Sequence, residues 1–204
     1  MSKKAVDVVL LPEEAMMEEA IEANAELVKK FGKKIVLNKE NCLPHISLAM
    51  GCVDEEDIAS VERILRSIAK EYSLGDLRVL GVRSSTNAAG EKVSAFEVEE
   101  TKELQLLHET IMKRLAPYLS RDVTADMICG YGNDEVEGAT LLWIKNYREK
   151  SSFEEFFPHI TIGYGELSNP SIAMKFTASR LVLCQLGNHC TCRKILVSIE
   201  LSGK

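Results

Sequence analysis

The chain has 204 residues, of which 46% are hydrophobic and 27% are charged, and its formal net charge is −6. This length and composition fit one mid-sized domain, or two small lobes that share a buried core. The acidic balance argues against a broad nucleic-acid-binding face and favours a local pocket for one small or terminal phosphate group, and no apolar run is long enough to span a bilayer.

The first part of the chain predicts strands alternating with amphipathic helices. The opening run "AVDVVLLP" is valine-rich and ends at Pro12 before a series of acids, without a small-residue cleavage site. We therefore expect a strand there, not a secretory signal, and a cytoplasmic protein. The predicted strands are 5–12, 33–38 and 43–53, and the predicted helices are 13–32 and 54–72.

The second part of the chain is richer in strands. We predict strands at 77–82, 92–99, 140–144, 157–165, 178–186 and 194–201, and a third helix at 101–119. The polar segment 83–91 predicts an exposed loop, and 120–139 predicts one short strand and a mobile loop over a cleft. Hairpin-like links, with helices in only some connections, predict an α+β fold with antiparallel sheets.

The six cysteines do not indicate a metal site. Without a secretory signal, we expect them to be reduced thiols. The segment 184–192 holds three of them and His189, but its close pair has C-x-C spacing and no second matched pair exists. Structural zinc sites usually have two such pairs, so we expect no metal and no cofactor.

The segments "LPHISL" (43–48) and "FPHITI" (157–162) are nearly the same six letters. Residues two apart on a strand point to one face, so His45 shares a face with Ser47, and His159 shares a face with Thr161. One such motif is usually a packed histidine. Two copies that converge would offer two imidazoles for acid–base work and two hydroxyls for a phosphate group. His108 lies among apolar residues on the third predicted helix, so we expect it to have a structural role.

Paired H-φ-[ST]-φ motifs in a chain of this length resemble the 2H phosphoesterase superfamily. The opening "VVLLP" is similar to the first strand of that family. The resemblance implies one two-lobed, pseudo-symmetric domain, with antiparallel sheets around a central cleft and helices outside. Its halves would be about 1–90 and 91–204, each with one motif. By the motif match, His45 and His159 would be catalytic, and Ser47 and Thr161 would bind the substrate phosphate.

The resemblance implies a metal-independent phosphodiesterase that acts on 2′,3′-cyclic phosphate or 2′-5′ linkages of RNA ends or small nucleotides. Two alternatives stay open, an AMP-like nucleotide-binding module without turnover and a 3′-end exoribonuclease of the same superfamily. Tyr131, Phe157 and Tyr164 lie near the motifs and are candidates for stacking on a base. We expect a monomer that takes a small nucleotide or an RNA terminus, and neither a long duplex nor a membrane.

Overall fold

The structure is a computed structural model that describes residues 2–87, 90–130, 135–167 and 174–201. Within these ranges the chain forms eight strands and four α-helices. In chain order they are β1 (Lys3–Pro12), α1 (Glu14–Phe31), β2 (Ile46–Asp54), α2 (Ile58–Glu71), β3 (Leu77–Thr86), β4 (Lys92–Val98), α3 (Lys102–Leu115), α4 (Gly138–Lys150), β5 (His159–Tyr164), β6 (Met174–Phe176), β7 (Ala178–Leu186) and β8 (Cys192–Glu200).

All eight strands join one antiparallel sheet in the order β6-β3-β4-β5-β2-β1-β7-β8. The sheet is two groups of four strands, joined where Ile46 of β2 pairs with Ile160 of β5. The predicted α+β fold with antiparallel strands is confirmed. One group combines β1 and β2 with β7 and β8, so a division near residue 90 does not separate the two groups.

One face of the sheet, here called the outer face, packs against helices. In β1 the side chains of Val6, Val8 and Leu10 are fully buried, and Leu10 lies opposite Ile46 on this face. The helix α1 packs on β5, and α3 packs on β2. Each fully buried Val or Leu contributes roughly 1.5–3 kcal/mol. The inner face, which carries Val9 and Ser47 opposite each other, is therefore left for the candidate site.

The predicted strand at 33–38 is wrong. Ile35 and Leu37 are buried, as the alternating pattern predicts. Their backbone groups, however, form hydrogen bonds with a side chain and not with a neighbouring strand. Asn24 donates to the Ile35 carbonyl at 3.0 Å and accepts from the Leu37 amide at 2.9 Å. The side chain of α1 thereby satisfies the backbone groups that a strand partner would have satisfied.

The predicted strand at 140–144 is also wrong, because these residues lie inside α4. Its buried residues are Thr140, Ile144 and Tyr147, spaced four and three apart as on one helix face. Leu142 and Trp143 are about half exposed, so the apolar run "LLW" did not mark a strand. The short strand β6 was not predicted, and β3 extends into the predicted loop 83–91 as far as Thr86.

The cysteine prediction is wrong for one pair, because Cys184 and Cys192 are joined by a disulfide. They lie on the paired strands β7 and β8 beside the turn that holds His189. The other four cysteines are free thiols. No helix of the described ranges is long and apolar enough to cross a membrane.

His108 has the structural role that its helix position predicted. Its ring is fully buried and stacks on Phe156 with a centroid distance of 4.0 Å. Its Nδ1 donates to the Leu48 carbonyl at 2.7 Å, and its Nε2 accepts from the Phe153 amide at 2.8 Å. Only the neutral ring can make both bonds, and burial lowers the pKa of His108 to about 4.

We expect His108→Leu to reduce the free energy of unfolding at pH 7 by about 2–4 kcal/mol, because it leaves two buried backbone groups unpaired. The unfolded histidine binds a proton below pH 6.5 and the folded one below about 4. Wild-type stability therefore falls by roughly 1.4 kcal/mol per pH unit as the pH drops through this window, while the variant lacks this loss. Urea unfolding at pH 7 and pH 5 measures the difference in free energy of unfolding between the wild type and the variant. An equal difference at both pH values would contradict the assignment of His108 as a buried, neutral histidine.

Candidate functional site

The two motifs lie side by side at the junction between the two strand groups. Ile46 and Ile160 pair directly, so the positions on either side of them also face each other. In this register His45 lies opposite Thr161, and Ser47 lies opposite His159. All four side chains point to the inner face, and residues diagonal to one another across such a pair are about 7–8 Å apart. The predicted adjacency of the two motif strands is therefore present.

Each motif ends in a β-bulge, formed at the residue directly after the hydroxyl-bearing residue. In β2 the bulge places Leu48 as the extra residue, because Ser47 pairs with Val9 and Ala49 pairs with Val8. In β5 Thr161 pairs with Ala95 and Gly163 pairs with Ser94, which makes Ile162 the extra residue. A bulge re-aims the side chains around it. The two halves thus repeat both the letters of the motif and its local backbone.

Both histidine rings are held in the same way. His45 Nδ1 lies 2.7 Å from the Leu43 carbonyl oxygen, and His159 Nδ1 lies 2.7 Å from the Phe157 carbonyl oxygen. A carbonyl oxygen can only accept, so Nδ1 carries the proton in each ring. This fixes the tautomer and leaves each Nε2 available to give or take a proton.

Burial keeps both imidazoles neutral in the free protein. It lowers the pKa of His45 from 6.5 to about 4, against the opposing effect of the Leu43 carbonyl and with a further lowering from His159. Burial also lowers the pKa of His159, and the positive charge of Arg83 adds to that effect. The side chain of His45 is only 13% exposed. An anionic ligand between the rings would raise the pKa of both histidines.

Arg83 was not predicted as a site residue because its segment predicts a loop. It lies on β3 opposite Ala95, which lies opposite Thr161, so the three residues form one row on the inner face. The guanidinium lies 4.7 Å from the ring centroid of Phe157. Arginine binds phosphate oxygens well, so Arg83 places a phosphate-binding cation beside the motif of β5.

Asp7 is a second residue that the sequence analysis missed. It lies on the inner face of β1, since it is two residues from Val9, and it is fully buried. Its Oδ2 lies 4.0 Å from His45 Nε2, and neither carboxyl oxygen has a hydrogen-bond partner among the described residues. Leaving a buried polar group unpaired costs about 1–3 kcal/mol. A carboxylate inside the apolar run "AVDVVLL" was the available indication.

Burial raises the pKa of Asp7 to about 8. The side chain of Ser47 and the backbone of Ala49 act in the opposite direction, although neither meets hydrogen-bond geometry with Asp7. At pH 7 the carboxyl group is therefore mostly protonated. The site holds a neutral acid next to a neutral imidazole.

The helix α4 packs against β2 and lies next to the site. Near the start of α4, the Thr140 hydroxyl donates to the Asn188 side chain at 2.8 Å. Asn188 lies in the turn that also holds His189, and the ring of His189 contacts that of Tyr164 at the end of β5. Near the end of α4, Tyr147 is buried close enough to Asp7 for that carboxylate to raise its pKa. The helix therefore borders the site on the side of Asp7, and the four motif residues stay partly exposed.

The three aromatic candidates have different surroundings. The ring of Phe157 stacks on His159 with centroids 5.6 Å apart, and Arg83 lies over it. Tyr164 lines a cavity of about 700 Å³, together with Phe31 and Leu167. Its hydroxyl group forms a hydrogen bond with His189 Nδ1 at 3.1 Å. Tyr131 lies outside the described residues. Of the two described rings, that of Tyr164 lies beside an open cavity.

This arrangement can perform acid–base chemistry on a phosphate ester with side chains alone. Two ring nitrogens that differ in their neighbours can take one proton and give another. Two hydroxyls and one guanidinium lie on the same face, where they can donate to the non-bridging oxygens of a phosphate group. Within the described residues, no group of three or more His, Cys, Asp or Glu side chains could hold a metal ion.

Comparisons with known proteins identify a family and a fold. A family model described as the 2′-5′ RNA ligase superfamily matches residues 18–185. Comparison with curated proteins finds no match. Among solved structures, TT0787 of Thermus thermophilus is similar with a TM-score of 0.61 at 15% identity, over 98% of this chain and 99% of that chain.

Two structures of E. coli LigT are also similar. The apo form has a TM-score of 0.51 at 14% identity, over 99% of each chain. The form complexed with 3′-AMP has a TM-score of 0.51 at 12% identity, over 98% of this chain and 99% of that chain. At these identities the similarity establishes a shared fold.

Proposed function

The chain belongs to the 2′-5′ RNA ligase superfamily of 2H phosphoesterases, and we propose that it hydrolyses phosphodiesters at RNA ends or in small nucleotides. The preferred bonds are those of a 2′,3′-cyclic phosphate or a 2′-5′ linkage. The roles that we propose are acid and base for His45 and His159, and phosphate binding for Ser47 and Thr161. The cytoplasmic location, the monomeric state and the two-lobed division of the chain stay predictions.

The observation that carries this proposal is the repeated geometry of the two histidines. Each ring has its Nδ1 bonded to a backbone carbonyl two residues earlier, so each presents Nε2 as the reactive atom. A structural histidine such as His108 has both nitrogens bonded. No hydrogen bond fixes Nε2 of either motif histidine within the described residues, which is what proton transfer to a ligand requires.

The proposed reaction begins when the phosphate lies between the two motifs. One imidazole takes a proton from the attacking water as its oxygen bonds to phosphorus. The other gives a proton to the ribose oxygen as its bond to phosphorus breaks. The hydroxyls of Ser47 and Thr161, with Arg83, donate to the non-bridging oxygens as negative charge builds on them. All the groups in this scheme are side chains, so a metal ion is not needed.

A nucleotide-binding module without turnover is the second candidate, and the low exposure of His45 favours it. A site whose histidine side chain is 13% exposed suits retention of one small ligand. The LigT structure complexed with 3′-AMP supports a nucleoside monophosphate as that ligand. A 3′-end exoribonuclease needs an open groove for several nucleotides, and the acidic balance of −6 weighs against it.

We expect the purified protein to open 2′,3′-cyclic nucleotides, or to cleave 2′-5′-linked dinucleotides, in the presence of EDTA. Product identification by chromatography and phosphorus NMR would show which bond is cut. The control is the variant that lacks both motif histidines, which should be inactive under the same conditions. Tight binding of 3′-AMP with no cleavage of either substrate class would favour the binding module. Activity that is lost in EDTA and restored by a divalent metal would contradict the scheme.

A further inference from the structure

The two halves of the site differ at one pair of matched positions. Val9 pairs with Ser47 as Ala95 pairs with Thr161, so the residues two positions earlier also correspond. These are Asp7 in the first half and Val93 in the second. Among the described residues, a fully buried carboxyl group lies beside His45, whereas the carboxyl-bearing residue that pairs with His159 is Glu97, which is only partly buried.

We propose that Asp7 passes its proton to His45, which makes His45 the acid of the pair and leaves His159 as the base. This assignment rests on the phosphodiesterase function proposed above. Asp7 acts through His45 and not on the substrate, so it is a positioning residue. The repeated motif alone does not distinguish the two roles.

The geometry places a protonated carboxyl group next to the correct nitrogen. Asp7 Oδ2 faces His45 Nε2 at 4.0 Å, the ring atom that Leu43 leaves available. An approach of about 1 Å would bring the two atoms into hydrogen-bonding distance. The carboxyl group is buried and has no hydrogen-bond partner among the described residues, so its proton is not committed elsewhere.

The groups around Asp7 keep its proton in place until a ligand binds. Four side chains face Asp7. Ser47 lies on β2, and His45 is the residue just before β2. Tyr147 lies on α4, and Cys190 lies in the turn between β7 and β8. None of these is a permanent cation. Burial therefore raises the pKa of the carboxyl group to about 8, and the proton is still present at neutral pH.

The other histidine has a cation nearby, Arg83, and pairs across the strands with Glu97, which is partly exposed. The charge of Arg83 lowers the pKa of His159, because a cation disfavours a second positive charge nearby. A neutral imidazole is the form that accepts a proton from water. Arg83 thus helps to keep His159 neutral, while the proton that His45 needs as an acid comes from Asp7.

The proposed transfers balance as follows. The O–H bond of Asp7 breaks as an N–H bond forms at His45 Nε2, which gives a carboxylate and an imidazolium. That N–H bond breaks as an O–H bond forms on the leaving ribose oxygen. His159 Nε2 takes the proton that the attacking water loses. After turnover His159 releases one proton to solvent, and Asp7 regains one from solvent.

The test is the pH–rate profile of Asp7→Asn, which keeps the shape of the side chain but has no acidic proton. In the wild type, the acid stays protonated up to about the pKa of Asp7, which is about 8. In the variant, His45 holds the proton alone with its lowered pKa. We expect the basic limb to move below pH 6.5 and turnover at pH 7 to fall at least tenfold, with recovery near pH 5. Asp76→Asn, at an exposed ion pair with Lys175, is the matched control and should keep the wild-type profile.

A second measurement on the wild-type protein is independent of turnover and of the folding of the variant. The infrared carbonyl band of a protonated carboxyl group should be present at pH 7 and lost when 3′-AMP binds. Loss of the band without any phosphodiester cleavage would support the proton transfer and reject the proposed function. Cleavage with a band that persists, or a variant whose basic limb matches the wild type, would overturn the role of Asp7 and leave the proposed function intact.

Discussion

Replacing either His45 or His159 with alanine is expected to remove nearly all turnover. Each substitution deletes one of the two proton transfers, and general acid–base catalysis contributes roughly 10²–10⁴-fold per group. The two histidines act in one step, so the double variant should be little slower than either single variant. Single-turnover rates on a 2′,3′-cyclic nucleotide measure the losses directly.

The pH dependence should follow the same assignment. His159 must be neutral and the Asp7–His45 pair must hold one acidic proton, so the wild-type rate should have a bell-shaped profile. Since burial lowers the pKa of the base His159, its acidic limb should lie below pH 6.5. Each alanine variant should lose one limb in its residual activity, while His108→Leu should lose stability and keep both limbs. Near-normal turnover in one of the two alanine variants would reject a two-histidine mechanism.

Removing one hydroxyl is expected to give the second largest effect. Ser47→Ala and Thr161→Ala should each slow the chemical step by about 10²–10³-fold, because a preorganised donor to the developing charge is lost. The matched controls are Ser47→Thr and Thr161→Ser, which keep a hydroxyl at the same position and should lose far less. Steady-state kinetics separate the two parameters, and we expect the change in kcat and not in KM. Equal losses in an alanine variant and its hydroxyl control would show that packing, not phosphate binding, matters there.

The sequence was sufficient to predict that the two motifs lie on adjacent strands, because the geometry of each motif is local. Side chains alternate along a strand, so His45 shares a face with Ser47 and His159 shares a face with Thr161. The repeated letters indicate that the two strands have equivalent environments. The adjacency of the motifs follows from that repetition and is present in the structure as the pair Ile46 and Ile160. The α+β class followed from hydrophobic periodicity in the same way.

Features that depend on contacts between distant segments could not be predicted. The segment 33–38 has a strand pattern, but whether it joins a sheet depends on Asn24, which satisfies its backbone groups from α1. Asp7 is one letter in an apolar run, and its importance depends on which strand lies beside it. The segment 140–144 is short and apolar, so its helical state could not be distinguished from a strand by periodicity over five residues.

The paired bulges at Leu48 and Ile162 mean that the two motifs share a backbone irregularity as well as their letters. A bulge adds one residue to a strand, bends the strand and increases its local twist, while the residues on either side keep their partners and their faces. Deleting either extra residue would therefore leave the imidazole and the hydroxyl on the inner face but straighten the backbone that carries them. The orientation of these side chains thus depends on where the two strands bend as well as on which residues they carry.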